Sequence, residues 1–265
     1  MSVPAIPVFV GPSLPAAARP ADNLFEWRPP AAAGDLLALL PRPPARLCLI
    51  DGFFDSRPAP WHKELLMLIA RGTLVFGAAS MGALRAAELH RFGMIGVGAI
   101  FRAYRDGRLQ GDDEVALVHA TERLGWAPLT VPMVEVRATL VAACRTRVTS
   151  PLVARRIRAL VHEIHFDARD WPMMEKACLS ARLVDRPIFR RLREMHVQLK
   201  RDDALACLAA ARGPAAPARA PEPPRTCFMR ELASQLGLPA TEGPAPLRHR
   251  RKSGRLPRQG AGGGA

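Results

Sequence analysis

Residues 75–89 read VFGAASMGALRAAEL. A short apolar run meets a cluster of small residues around Ser80, and a helix-forming sequence follows at once. That order predicts a buried strand, a tight turn and a helix. Ala78-Ala79-Ser80-Met81-Gly82 matches the nucleophile elbow G-x-S-x-G with alanine in the first glycine position. Small residues suit such a turn because strand and helix approach closely there. The following helix would aim free backbone N–H groups at the turn, creating an anion or oxyanion site whether or not Ser80 reacts. Gly77, Ala79, Met81 and Gly82 are the backbone candidates for that site. Ser80 itself reads as a helix N-cap or anion ligand on one view and as a nucleophile on the other. A nucleophile needs a general base, and His62 and His90 are the nearest histidines in sequence.

Working outward, residues 6–10, 46–50 (RLCLI) and 73–76 are continuous apolar runs. Runs of this kind suit strands of a parallel sheet covered on both faces. Helical segments separate them: 34–40 (GDLLALL), 59–71 (APWHKELLMLIAR) and the one opening near Met81. Trp61, Leu65, Leu68 and Ile69 share one stripe, and Gly72 supplies a stop signal. Alternating strands and helices predict a Rossmann-like, mostly parallel α/β sheet with right-handed crossovers. Residues 114–119 (EVALVH) read as a fourth strand.

Beyond about residue 121 the pattern turns helical, over 131–144, 151–165, 171–183 and 187–212. Ser150, Asp170 and Asp185 each precede a proline-containing helix start and read as N-caps. From Gly213 the composition shifts to Pro, Ala, Arg and Gly, which cannot bury enough surface to offset ordering entropy. The expected organisation is an α/β domain over 1–125, a helical region packed on it over 126–212, and a disordered tail over 213–265. A short helix is expected within that tail at 227–238.

The net charge is +14, yet only four of the 38 basic residues are lysine (Lys63, Lys176, Lys200, Lys252). Abundant Ala, Pro, Gly and Arg together are what a GC-rich coding sequence produces, so the charge does not point to specific nucleic-acid binding. The basic cluster at 248–255 reads as a solvated tail. The five cysteines are far apart and form no CxxC pair, which leaves no zinc or dithiol motif and suits a reducing cytoplasm. The N-terminal apolar run lacks a basic segment before it, so no signal peptide is expected, and no run is long enough to span a bilayer.

In open α/β sheets ligands bind outside the carboxyl ends of the strands. Three turns fall there: Gly11-Pro12-Ser13, Asp51-Gly52 and residues 77–82. Each alone is ordinary turn chemistry; together they make a pocket, with Ser13 and Asp51 facing the Ser80 turn. Asp112-Asp113-Glu114 could hold a magnesium ion, but an acidic trio is more often a solvated turn, and no metal site is assigned. Residues 93–98 (GMIGVG) follow a helix, which makes them a weak phosphate loop. His62, at the start of its helix, is the open candidate for a base.

Taken in order, GPSL (11–14), IDGFF (50–54), WHKE (61–64), FGAASMGALRAAEL (76–89), FGMIGVG (92–98) and DDEVALVH (112–119) resemble the TfuA-like family. The likeness covers roughly residues 6–145. It implies an accessory protein of YcaO-type enzymes in the modification of ribosomally made peptides (RiPP biosynthesis), notably backbone thioamide formation. The implied partners are a YcaO-type enzyme and a thiocarboxylated sulfur-carrier protein from which sulfide is released, with the precursor peptide as a further candidate. Ser80, Asp51 and His62 would be the catalytic group. No cofactor is implied, and no Walker-type glycine loop is present. A sulfur-relay cysteine is the alternative mechanism; Cys48 is the only cysteine before the helical region, and its apolar, buried setting argues against it. Two rival readings are a non-catalytic activator of the YcaO enzyme and a serine-type α/β hydrolase; an Asp-then-His order after Ser80 with matching strand signals is missing for the latter.

Overall fold

A computed structural model of the chain describes residues 4–54, 56–216, 221–224 and 226–238. Residues Met1–Pro223 form one compact unit and Pro224–Ala265 a second. In the first unit five parallel strands, β1 (Ile6–Phe9), β2 (Phe25–Arg28), β3 (Arg46–Leu49), β4 (Leu74–Gly77) and β5 (Ile95–Gly96), lie in the order β2-β1-β3-β4-β5. The all-parallel α/β sheet agrees with the sequence reading. Register is set at the centre by Val8 against Cys48 and Cys48 against Phe76.

Side chains alternate along a strand, and both sets are buried here. Val8, Cys48, Ile50 and Phe76 join one core with Ala204, Cys207, Leu208 and Ala211 of the helix α8 (Leu199–Arg212). Leu47, Leu49 and Val75 point the other way and are equally inaccessible. The helices α1 (His62–Ala70) and α2 (Met81–Leu89) follow β3 and β4 and pack against β4. A further helix, α3 (Gly98–Arg105), packs on α2 and α8. The remaining helices of this unit are α4 (Met133–Arg145), α5 (Pro151–His162), α6 (Trp171–Ser180) and α7 (Arg186–Glu194). They bury a second cluster around Met133, Leu140, Ile157, Met174 and Phe189. In the second unit the described residues hold α9 (Cys227–Gln235). The disordered tail expected from Gly213 falls largely on residues outside the described ones. Among the described residues no helix is long and apolar enough to cross a membrane.

The caps read from sequence are formed: the side chains of Ser150, Asp170 and Asp185 accept from Val153 N, Met173 N and Ile188 N. Three expectations are corrected. Residues 187–212 are not one helix. The chain breaks after α7 because Thr139 Oγ1 accepts from Val197 N at 3.0 Å and Glu135 meets His196 Nε2 at 2.8 Å. Residues 114–119 form no ladder strand. A 3-10 turn covers Asp112–Glu114, Val118 N donates to Thr130 Oγ1, and one isolated bridge joins His119 to Pro128. Residues 34–40 are reduced to a 3-10 turn at Leu37–Leu39, because the buried Glu64 carboxylate takes the N–H groups of Gly34 and Leu37.

Candidate anion-binding cleft at the sheet edge

The strand order reverses between β1 and β3, and the loops leaving their carboxyl ends diverge around a crevice. Asp51 closes its floor. Its Oδ2 accepts from Gly11 N at 2.8 Å and Ser13 N at 3.0 Å, and its Oδ1 accepts from Ser13 Oγ at 2.6 Å. The carboxylate is 2% exposed. It fastens the β1 loop to the β3 loop. Both polar groups of Ser13 are occupied by it, so Ser13 is part of the clamp.

The third turn lies beside it. Ala78 N donates to Leu49 O, Ser80 N to Ala78 O and Gly82 N to Ile50 O. Ala79 has φ +65°, in the left-handed region that costs an alanine about 1 kcal/mol. Such outliers persist where surrounding structure holds them, and they cluster at functional sites. Gly77 and Gly82 serve contact between elements. A Cβ on Gly82 would stand 1.8 Å from Leu49 O, and one on Gly77 2.3 Å from Gly82 O. The donors left at the turn without a backbone acceptor among the described residues are Ala79 N–H and Met81 N–H. Ser80 occupies the N-cap position of α2, yet its hydroxyl makes no capping bond. It is 2% exposed and lines the crevice.

The crevice has a volume of about 250 Å³. Asp51, Gly52, Phe53 and Phe54 form one side, residues 115–119 another, and Ser80 at the N-cap of α2 and Lys200 of α8 reach it. Lys200 is 2% exposed; its Nζ donates to Val115 O at 2.8 Å. Burial pushes its pKa down, and the charges of Asp51 and Glu135 oppose that shift. In its charged form this amine would favour an anionic guest. His119 also lines the crevice. Its ring packs edge-on against Trp126, with centroids 5.2 Å apart, and tilts against Phe53 at 6.4 Å.

Sequence reasoning missed Lys200 and His119. A signal for Lys200 was present. It falls on the buried stripe of α8 with Ala204, Cys207, Leu208 and Ala211, where a charge is costly unless paired. His119 gave no comparable signal, because its position follows from residues 115–119 running along the crevice instead of joining the sheet.

His62 is not brought to the crevice. Its Nε2 meets Glu88 Oε2 at 2.7 Å, with Arg85 on the same carboxylate, and both His62 and Glu88 are over two-fifths exposed. Burial raises the Glu88 pKa, but the hydrogen bonds from His62 and Arg85 outweigh it and hold the carboxyl low. A solvent-screened cluster of this kind contributes little, so His62→Ala should change stability by less than about 0.5 kcal/mol in urea titration. The acidic trio is also accounted for: Glu114 is buried in a two-pronged ion pair with Arg137. Among the described residues no group of three His, Cys, Asp or Glu side chains is placed to hold a metal ion. Cys48 is inaccessible and hydrogen-bonded to the equally buried Cys207, whose pKa this bond and burial raise. A thiol sealed from solvent is a poor sulfur carrier.

These features define a parallel α/β protein with a crevice at the switch point of the sheet, lined by Asp51, Ser80, His119 and Lys200. Residues 51–170 match the model of the TfuA-like protein family, the family that the motifs in this span resemble. The matched span contains Asp51, Ser80 and His119. Proteins of this family are linked to YcaO-type peptide modification. Comparison with curated proteins gives no match.

Proposed function

We propose that the chain is an accessory protein of YcaO-dependent modification of ribosomally made peptides, serving backbone thioamide formation by releasing sulfide from a thiocarboxylated carrier protein. The observation that carries this reading is the crevice itself. It joins the buried Lys200 amine and the uncapped hydroxyl of Ser80, and the Ser80 turn beside it carries two N–H groups, of Ala79 and Met81, without a backbone acceptor among the described residues.

The chemistry is hydrolysis at an acyl carbon: a thiocarboxylate and water give a carboxylate, hydrosulfide and a proton. The substrate is an anion, and Lys200 offsets the loss of its hydration. As the carbonyl oxygen gains charge, the N–H groups of Ala79 and Met81 at the adjoining turn serve as its donors in this reading. Ser80 Oγ is the adjacent polar ligand. Asp51 already accepts three hydrogen bonds, so its part in this scheme is to hold the two loops in place.

The test is single-turnover sulfide release from a chemically thiocarboxylated carrier. Removing one donor of an oxyanion site costs about 10²-fold in rate, and a fall of at least tenfold is expected for Ser80→Ala. His62→Ala should release sulfide at the wild-type rate. If Ser80→Ala also keeps the full rate, the Ser80 hydroxyl is not a ligand of the reacting group. If the wild type releases no sulfide but accelerates the ATP-dependent step of a YcaO enzyme, the activator reading replaces this one.

A further inference from the structure

Hydrolysis of a thiocarboxylate needs a group that takes a proton from water. Asp51 and His62 are poorly suited. The first has its oxygens occupied by Gly11 and Ser13; the second lies in the exposed cluster with Glu88 and Arg85. His119 differs from both. Its Nδ1 stands 2.9 Å from the carbonyl oxygen of Ala120. A carbonyl only accepts, so Nδ1 carries the proton and, in the neutral ring, Nε2 carries the lone pair. Nε2 has no hydrogen-bond partner among the described residues. Trp126 and Phe53 hold the ring from two sides, which fixes its plane. The ring lines the same crevice as Ser80 and Lys200.

We propose that His119 is the general base of the reaction, accepting through Nε2 the proton of the attacking water. The inference rests on the sulfide-release reading above. The step balances without a co-reactant. As the water oxygen bonds to the acyl carbon, one water proton passes to Nε2 and the carbonyl π pair moves to oxygen. When that pair returns, the C–S bond breaks and the sulfur leaves with its electrons. The imidazolium gives its proton to the departing sulfur, which is released as hydrosulfide. The new carboxylic acid then loses its own proton to solvent. No redox change occurs, and His119 is returned neutral.

The experiment uses the full chain and the thiocarboxylated carrier in single turnover, with carrier binding measured separately on the carboxylate form. Removing a general base typically costs 10²–10⁴-fold. For His119→Ala a fall of at least about 10²-fold is expected, with carrier affinity held within about threefold and about tenfold or more of the rate restored by added imidazole. His119→Phe keeps an aromatic ring against Trp126 and Phe53, and it should be as slow as His119→Ala. The proposal is overturned if either variant keeps the wild-type rate, or if His119→Ala is slow and imidazole restores nothing. A wild type that releases no sulfide defeats the functional reading and this inference together. An active wild type with active His119 variants defeats only the base.

Discussion

Gly82→Ala is expected to be the most damaging small substitution in the chain. The added methyl would stand 1.8 Å from Leu49 O and 2.6 Å from Leu49 C. Those are backbone atoms of β3, so no side chain can swing aside. To reach an ordinary contact, α2 must retreat by more than an ångström. That retreat breaks the Gly82 N to Ile50 O bond of 3.1 Å and unseats Ser80 at the crevice. Overpacking by a methylene or two costs about 1–3 kcal/mol where side chains can adjust. Here the backbone must move, and a loss of about 4 kcal/mol or more is expected. The measurement is a urea unfolding midpoint at unchanged m-value. Gly72→Ala is the control. Gly72 has φ +87° but nothing within 4 Å of the new methyl, so its cost should stay near 1 kcal/mol. A Gly82→Ala protein as stable as Gly72→Ala would mean that α2 is not seated on β3 as described.

The same turn explains how much of the fold was legible. The apolar runs of β1, β3 and β4 are buried on both faces, so each reads as a strand without its neighbours. The start of α2 at Met81 was equally plain, because small residues before an amphipathic run have few other uses. The edges were hidden for physical reasons. β2 carries Glu26 and Arg28, pairs on one side with β1, and does not need a continuous apolar run. β5 is two residues long, and its Gly96 is set by the ring of Phe101, which a Cβ would meet at 2.2 Å. The α7–α8 break depends on Glu135 and Thr139, over fifty residues away in sequence. The site divides in the same manner. Asp51, Ser13 and the Ser80 turn were placed by the rule for strand ends, which needs only the strand order. His62 was drawn in by its position at a helix start, yet its partners Arg85 and Glu88 lie on α2 and face solvent. Lys200 and His119 come from segments whose approach to the crevice is a tertiary fact.

The pair Asp51 and Lys200 gives the other large expected effect, and the two residues should fail differently. Asp51→Ala leaves Gly11 N–H, Ser13 N–H and Ser13 Oγ without an acceptor in a buried site, and it removes one of the two anionic charges that favour the Lys200 ammonium. Breaking a buried charged partner in this way costs about 3–5 kcal/mol. Lys200→Met removes a charge whose hydration was already lost and keeps most of its volume. What remains is an unpaired Val115 carbonyl and an Asp51 carboxylate still satisfied by three donors. A loss of about 1–3 kcal/mol follows from the orphaned carbonyl, so this variant should fold. Its sulfide release should nevertheless fall by about 10²-fold, the scale of losing one preorganised electrostatic group at a developing charge. The double variant tests whether the two charges sense each other. Once Asp51 is gone, deleting Lys200 removes a buried ammonium left with Glu135 alone. The double loss should therefore be smaller than the sum of the single losses, by about 0.5–3 kcal/mol. If the two losses simply add, Asp51 supports the loops alone and the attraction that keeps Lys200 charged must come from Glu135. If Lys200→Met releases sulfide at the wild-type rate, the crevice does not use its buried cation, and the anionic guest argued for it has no electrostatic basis.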